Sequence, residues 1–129
     1  MVTVKNALDR ISEKAKNDGD VLAVILFGSY ARGEKFSDID VCIVLKPGKF
    51  SRSFFSRKRL EYLAEFPTLD IQIFQQLPLY VKTRILGEGK VIFCENEDLL
   101  YDLSFSTIKE FEYFKPRYSS YLEGVLHAG

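Results

Sequence analysis

Segments whose apolar residues repeat at the period of a helix alternate along the chain with segments that have the apolar pattern of a strand. Residues 3–17 repeat apolar side chains every three or four positions, with charged residues between them, which predicts an amphipathic helix. Residues 21–27 are continuously apolar, which predicts a strand that is buried on both faces. A second strand is predicted over 38–45, and a third, in which apolar and polar residues alternate strictly, over 68–74.

The second half of the chain predicts further helices and one more strand. Pro78 suits the first turn of a helix that runs to about Leu86. Residues 91–93 predict a short strand, and residues 97–115 a last helix that Pro116 kinks or ends. We therefore expect an α+β fold in which a small mixed sheet of about three to four strands packs against helices.

The composition fits a single folded domain, which we expect over residues 1–129. With 47% hydrophobic residues the chain can bury a core, and Cys42 and Cys94 fit small buried hydrophobes better than metal ligands. The 18 basic and 18 acidic residues balance, which argues against bulk binding to nucleic acid. No charged-then-apolar leader and no apolar run of membrane-spanning length occurs, so we expect a soluble, cytoplasmic protein without a membrane partner.

The most informative stretch joins the first two predicted strands and reads GSYARGEKFSDID, from Gly28 to Asp40. Gly28 and Ser29 stand where the first strand ends, and the backbone N–H groups of such a glycine turn form a nest for an anion. Asp38 and Asp40 open the second strand and share one face, because they are two residues apart. Paired carboxylates beside an anion nest suit a hard divalent cation that carries a triphosphate.

The joint occurrence of Gly-Ser, Ala-Arg-Gly and Ser-Asp-x-Asp in this stretch resembles the DNA polymerase beta-like nucleotidyltransferases, and among them the minimal nucleotidyltransferase (MNT) family. The resemblance implies the nucleotidyltransferase fold of that superfamily. It also implies a third acidic residue on a neighbouring strand, and Asp70 matches it. Asp38, Asp40 and Asp70 would then be both the catalytic residues and the metal ligands.

The resemblance further implies a reaction and its cofactor. Two Mg²⁺ ions, with Mn²⁺ as the alternative, would clamp the attacking and leaving oxygens while a nucleoside monophosphate moves from an NTP, with ATP favoured, to a hydroxyl group. Gly28 and Ser29 would bind the departing pyrophosphate. Arg32 would clamp a phosphate or orient a carboxylate, and the alternative is a surface arginine that braces the turn.

The acceptor is expected to be presented by another subunit, because little of the chain remains once the catalytic fold is assigned. In the MNT family the usual companion is a separately encoded helical HEPN protein, often a ribonuclease toxin, and the MNT protein acts as the antitoxin. We therefore expect a HEPN/MNT toxin–antitoxin pair in which this chain adenylylates its partner. Homo-oligomerisation stays open.

Three rival interpretations remain. The chain could neutralise a toxin by contact alone, act on a small molecule without a protein partner, or be a scaffold that has no nucleotide site. Only eight residues separate Ser29 from Asp38, fewer than family members commonly have, and this shorter turn favours a non-catalytic binding module. The three intact aspartates favour an enzyme.

A basic stretch over residues 46–59 has two interpretations. It carries six Lys or Arg residues and no acidic residue before Glu61. Such a run is most simply a solvated basic face at the start of a helix. The alternative is a rim that attracts the triphosphate or an acidic partner.

Overall fold

The computed structural model describes residues 3–35, 38–48 and 50–127. Within these ranges helices alternate with strands, and the α+β architecture agrees with the prediction. The elements in chain order are α1 (Val4–Lys16), β1 (Val21–Phe27), α2 (Gly28–Ala31), β2 (Asp40–Leu45), α3 (Arg52–Glu65), β3 (Asp70–Ile73), a 3₁₀ turn (Phe74–Gln76), α4 (Leu79–Glu88), β4 (Lys90–Cys94) and α5 (Glu97–His127).

The four described strands form one mixed sheet in the order β3-β2-β1-β4. β1 pairs antiparallel with both β2 and β4, whereas β2 and β3 run parallel. The parallel pairing follows from the chain path, because α3 carries the chain from the end of β2 back to the start of β3. The register places Phe27 opposite Asp40, and Asp40 opposite Asp70. One end of the sheet therefore gathers these three residues in a row.

Helices cover both faces of the sheet, and each face has its own apolar cluster. One face packs against α1 and α3 through the buried side chains of Ile11, Ala15, Tyr62 and Phe66. The other face packs against α4 and α5 through Ile85, Val81, Leu100 and Leu103. Six of the seven residues of β1 are buried, which confirms the strand that was predicted to be covered on both sides.

The two faces of β2 separate as the alternation predicts. Val41, Ile43 and Leu45 belong to the cluster under α1 and α3, whereas Cys42 belongs to the cluster under α4. Asp40 is two residues before Cys42, so its side chain projects from the face that α4 covers. Cys42 is fully buried and Cys94 half-buried, and both are free thiols.

The predicted bounds of three elements are wrong. β3 covers only Asp70–Ile73 of the predicted 68–74. β2 begins at Asp40, not at residue 38, because pairing with β1 starts at Asp40 and leaves Asp38 in the preceding bend. The last helix does not end near Pro116 but continues to His127. Proline removes a single helical hydrogen bond, and a helix can accommodate this loss where the residues on both sides still favour it.

A buried polar network ties α3 to the turn between α1 and β1. Lys58 Nζ lies 3.0 Å from Asp18 Oδ2 and 3.1 Å from Asp20 Oδ2, and the Tyr62 hydroxyl donates to Asp18 Oδ2 at 2.9 Å. Burial alone would raise the pKa of Asp18, but hydrogen bonds from the backbone of Asp20 and from Lys58 and Tyr62 outweigh it and hold that pKa below its ordinary value. The network fixes the helix that connects β2 to β3.

This network changes the interpretation of the basic stretch at 46–59. Lys58 belongs to the buried network, and Arg59 donates through Nε to the carbonyl oxygen of Ile71 at 2.8 Å. These two cations therefore hold the fold together and are not part of a solvated face or a nucleotide rim. Among the described residues, no helix has the length and apolar character needed to cross a membrane.

We expect Tyr62→Phe to lower the free energy of unfolding by about 2 kcal/mol, because it removes a buried hydrogen bond to a charged carboxylate and leaves the ring in place. Urea denaturation measures the loss. Tyr80→Phe is the matched control, since Tyr80 is exposed, and it should change stability by less than about 0.5 kcal/mol. Equal stabilities of the two variants would contradict the role of the network.

Candidate active site

Asp40 and Asp70 form a carboxylate pair at one end of the sheet. They are direct partners in the parallel β2–β3 register, and their carboxyl groups share a hydrogen bond. Burial, this hydrogen bond, and the negative charges of Asp70 and Asp38 raise the pKa of Asp40 to about 6, while Arg32 opposes the shift. In the absence of a cation, Asp40 therefore keeps its proton up to about pH 6.

Gln72 orients the second carboxylate of this pair. Its side-chain Nε2 donates to Asp70 Oδ1 at 3.1 Å, and the two residues are neighbours on one face of β3. The strict alternation over 68–74 predicts that Gln72 shares a face with Asp70, but it assigns Gln72 no role. The spacing of two residues along a strand is the signal that could have identified it.

Gly28 brings the backbone against the carboxylate of Asp40. Its φ of +78° lies in the left-handed region that glycine adopts without strain. A Cβ atom at this position would collide with Asp40 Oδ2. Gly28 is also the first residue of α2, so the predicted turn contains one short helix, with Ser29 as its second residue. The structure thus brings the backbone of Gly28 against the Asp40 carboxylate, and Ser29 follows it in α2.

Asp38 lies beside the pair but outside the strand. It is exposed in the bend before β2, and its charge contributes to the raised pKa of Asp40. No three Asp, Glu, His or Cys side chains among the described residues are already grouped closely enough to hold a metal ion. The donor set nevertheless fits a divalent cation, because adjacent carboxylates whose charges repel each other favour a hard cation that takes its other ligands from phosphate and water.

Arg32 pairs with two glutamates, and its contact with Glu34 in the same turn fits the alternative of an arginine that braces the turn. Its Nε donates to Glu34 Oε1 at 2.7 Å, and its Nη1 lies 3.7 Å from Glu88 Oε2. Its charge still lowers the pKa of Asp40. The guanidinium therefore lies at the edge of the site, where Glu34 and Glu88 hold it, and no sequence pattern marks these two glutamates.

Lys82 is a second cation on the same face of the sheet. It belongs to α4, its Nζ lies 5.5 Å from the ring centroid of Phe74, and its charge slightly opposes the burial that raises the pKa of the Cys42 thiol. Cys42 follows Asp40 on this face of β2. No local pattern marks Lys82, because only the packing of α4 on the sheet brings it there.

A cleft of about 210 Å³ opens beside Gly28, between the end of β1 and α4. Its lining residues are Phe27, Gly28, Arg32, Val81, Arg84, Ile85 and Glu88. A larger cleft, of about 530 Å³, lies between α1 and α3 and is lined in part by Asp18 and Lys58 of the structural network. The smaller cleft is the one that adjoins the carboxylate pair.

Comparison with known proteins identifies the family. The family profile described as "Polymerase beta, Nucleotidyltransferase" matches residues 9–98, a range that includes Gly28, Asp38, Asp40 and Asp70. The chain belongs to the polymerase beta nucleotidyltransferase family. This agrees with the resemblance that its motif carries, and the family's members include nucleotidyl-transferring enzymes.

A curated relative and several solved structures are similar to this nucleotidyltransferase. A protein of Methanocaldococcus jannaschii named "Putative protein adenylyltransferase" is 40% identical over 82 residues, which are 61% of this chain and 61% of that protein. A chain from a crystal structure of a toxin–antitoxin with AMP-PNP superposes with a TM-score of 0.71 at 15% identity, over 96% of this chain and 99% of that one. Similarity at such low identity shows the shared fold.

A second solved structure contains a modified toxin. It is the tri-AMPylated HEPN toxin of Shewanella oneidensis in complex with its MNT antitoxin, and the match has a TM-score of 0.69 at 14% identity, over 95% of this chain and 98% of that one. A structure of the toxin–antitoxin MntA-HepT gives the same TM-score at 12% identity over the same shares of the two chains. The nucleotidyltransferase fold predicted from the motif is thus confirmed.

We expect Gly28→Ala to destabilise the protein and to abolish MgATP binding, because its Cβ would displace the Asp40 carboxylate. Gly33→Ala is the matched control: Gly33 has a φ of +73°, but a Cβ there meets no atom within 4 Å. The control should lose only about 1–2 kcal/mol to backbone strain and should still bind MgATP. Urea denaturation and calorimetry measure both properties, and equal effects of the two substitutions would contradict the contact.

Asp40→Asn should stabilise the metal-free protein near neutral pH. Folding raises the pKa of Asp40 from 3.8 to about 6, so the native state binds more protons between these values and its stability falls as pH rises through this window. We expect the free energy of unfolding to rise by on the order of 1 kcal/mol at pH 7.5 and to stay unchanged near pH 4. The rise is smaller than the full pKa shift would give, because Asp40 is partly solvated. Thermal unfolding in EDTA measures this gain in stability, and Asp102→Asn, at an exposed position, is the control. A gain in stability that does not depend on pH would contradict the raised pKa of Asp40.

Proposed function

We propose that this chain transfers AMP from ATP to a hydroxyl group of a protein partner, and that divalent cations support the reaction. The observation that carries the proposal is the Asp40–Asp70 pair beside the backbone of Gly28, at the site where the motif predicts chemistry. The shared family supports nucleotidyl transfer as the reaction class. The name of the archaeal relative supports a protein as the acceptor.

The proposed roles follow the positions of the residues. Asp40 and Asp70, which the sheet holds side by side, provide two carboxylate ligands for the cations. Asp38, in the exposed bend before β2, provides the third. Bound Mg²⁺, for which Mn²⁺ is an alternative, would neutralise the triphosphate and favour ionisation of the acceptor hydroxyl. Gly28 and Ser29 bind the departing pyrophosphate. Arg32 lies at the edge of the site, where Glu34 and Glu88 hold its guanidinium.

The step itself is an in-line displacement at the α-phosphorus. The acceptor oxygen forms a bond to this phosphorus while the bond to the bridging α–β oxygen breaks, and pyrophosphate leaves. The proton of the acceptor hydroxyl passes to Asp70, whose side chain Gln72 orients. The raised pKa of the neighbouring Asp40 supports a pair that can exchange a proton near pH 6.

The proposed partner is a separately encoded helical HEPN protein, and the chain would serve as its MNT-type antitoxin. The structural neighbours support this pairing, because one is an MNT antitoxin in complex with an AMPylated HEPN toxin and another is a toxin–antitoxin with AMP-PNP. The fold similarity to these chains extends over nearly their whole length. The activity of this chain on such a partner is the part that requires an experiment.

A second candidate is a binding module that neutralises the toxin by contact alone. The exposed position of Asp38 favours it, since no three acidic side chains among the described residues are grouped as a metal site. Under this alternative the carboxylate pair binds nucleotide without transferring it. The two candidates differ in whether toxin neutralisation survives when Asp38, Asp40 and Asp70 are all replaced by alanine.

Intact-mass spectrometry of a HEPN-type protein encoded beside this chain tests the proposal. After incubation with the chain and MgATP, we expect the partner to gain one or more AMP units, and a label in the α-phosphate of ATP, but not in the γ-phosphate, to be retained. Asp40→Asn and Asp70→Asn should each slow this gain by at least about a hundredfold, because each removes a charge that holds the cation or takes the proton.

Asp102→Asn is the control for the loss of a single carboxylate, since Asp102 is exposed on α5, and its rate should match that of the unmodified chain. A partner that stays at its original mass while forming a stable complex would contradict transfer and favour the binding module. Retention of the γ-phosphate label on the partner would contradict the reaction class.

A further inference from the structure

The two edges of the sheet differ in how far they are covered. At one edge, β3 has only four residues, and Arg59 of α3 donates to the carbonyl oxygen of Ile71 at 2.8 Å. The other edge is β4, which pairs with β1 and with no second strand of the described part of the chain. An uncovered edge strand is a surface on which another chain can dock. Of the two edges, β4 is therefore the one open to a partner.

Exposed apolar side chains extend from this edge onto α5. Val91 of β4 is 51% exposed, and Tyr101 and Phe105 of α5 are 69% and 59% exposed. The two aromatic rings stack with their centroids 6.4 Å apart, and Ile108, one turn further along the same side of the helix, is also exposed. We call these four residues the edge patch. Neighbouring apolar side chains that are exposed together are typical of a surface that another protein covers.

A β-bulge aligns β4 with α5 at the edge patch. The pairing of β4 with β1 skips Ile92, which is therefore an extra residue in β4. Val91 and Cys94 consequently lie on the same face, although they are three residues apart. Between them and α5 is a hollow of about 330 Å³, lined by Val91, Cys94, Glu97, Leu100, Tyr101 and Ser104. Because the bulge interrupts a regular ladder, side chains rather than backbone pairing would make most of the contact with a partner.

The edge patch and the hollow together fit a second copy of the same surface. Tyr101 projects at the rim of the hollow, so each copy offers one exposed ring and one recess side by side. In a two-fold symmetric interface, each contact that one copy makes with its partner is repeated in the opposite direction. A two-fold axis perpendicular to the sheet can therefore place each Tyr101 in the hollow of the other copy. Such an axis also makes the two β4 strands antiparallel.

The charges beside the edge patch complement each other across the same axis. β4 begins at Lys90, and Glu97 lies just beyond its other end, at the start of α5. Antiparallel β4 strands bring Lys90 of one copy to the end at which the partner has Glu97. Both residues are exposed, and opposite charges that face each other across an interface fix its register. This complementarity favours a second copy of the chain as the occupant of the surface.

We propose that two copies of this chain associate through β4 and α5 around a two-fold axis, with Tyr101 of each copy in the hollow of the other. The carboxylate pair belongs to β2 and β3, on the other side of β1 from β4. The interface therefore leaves both carboxylate pairs accessible. The inference goes beyond the proposed function and does not depend on it.

Sedimentation velocity of the full chain, at concentrations up to about 100 μM, tests the proposal. We expect the mass to rise with concentration from the 14.8 kDa of one chain toward twice that value. Tyr101→Asp should raise the dissociation constant of the dimer at least about a hundredfold, because it places an unpaired charge in the apolar hollow. Leu60→Asp is the matched control, since Leu60 is an exposed apolar residue of α3 on the other face of the sheet, and it should dimerise like the unmodified chain.

Reversal of the two charges tests the register of the dimer. Lys90→Glu and Glu97→Lys each place like charges opposite each other, twice in every dimer, and should each raise the dissociation constant about tenfold. The double variant restores opposite charges and should return the constant to within about threefold of the unmodified chain. Asp102→Lys, at an exposed position on another side of α5, is the control for a reversed charge on this helix and should leave the constant unchanged.

The outcomes decide for or against a second copy as the occupant. A chain that keeps the mass of one copy at every concentration would overturn the proposal and leave the edge patch to a different protein. A dimer that Tyr101→Asp leaves intact, or charge variants whose effects add in the double variant, would also overturn it. A dimer that is lost in Tyr101→Asp, kept in Leu60→Asp and recovered in the double charge variant supports it. None of these measurements involves nucleotide, so failure of the proposed function would not alter them.

Discussion

The structure of the site depends on one constraint, the parallel alignment that places Asp40 directly beside Asp70. The backbone fixes this alignment, because the N–H of Asp70 donates to the carbonyl oxygen of Ile39 at 2.9 Å as β3 joins the edge of β2. Two carboxylates in neighbouring strands repel each other, and the raised pKa of Asp40 expresses this repulsion together with burial. The fold holds the pair in place because the residues of β2 after Asp40 are buried, as are Ile71 and Ile73 of β3.

Elements far from the carboxylates maintain that alignment. α3 carries the chain from β2 to β3, and the network of Lys58, Asp18 and Tyr62 attaches it to the turn before β1. Arg59 adds a hydrogen bond from α3 to the backbone of Ile71 on β3. A basic segment that looks in sequence like a ligand-attracting rim thus acts in part as a structural brace for the site. One contact close to the pair also contributes: because Gly28 has no Cβ, there is room for Asp40 Oδ2 beside its backbone.

Much of the fold and the centre of the site could be predicted from the sequence, because both depend on short-range patterns. The unbroken apolar run of β1 and the alternation in β2 and β3 determine which faces are buried, and the Asp-x-Asp spacing determines where Asp40 points. Asp70 followed from the family resemblance and from its place in an alternating strand.

The features that could not be predicted depend on packing between distant segments. Asp38 falls outside β2 because pairing with β1 begins only at Asp40. Lys82 comes close to Phe74 and Cys42 only through the packing of α4 on the sheet, and Arg32 pairs with glutamates from two different segments. The continuation of α5 beyond Pro116 likewise depends on more than the local preference of proline. Sequence patterns identify the faces of elements, but not which elements meet.

An NMR titration of the Asp40 side-chain carboxyl, with and without Mg²⁺, tests whether Asp40 and Asp70 form a cation-dependent centre. In EDTA we expect a midpoint near pH 6, set by burial and by the neighbouring Asp70. In saturating Mg²⁺ the midpoint should fall by at least about one pH unit, because a bound cation favours the ionised carboxylate. A midpoint that Mg²⁺ leaves unchanged would contradict the claim that Asp40 and Asp70 form a cation-dependent centre for nucleotidyl transfer.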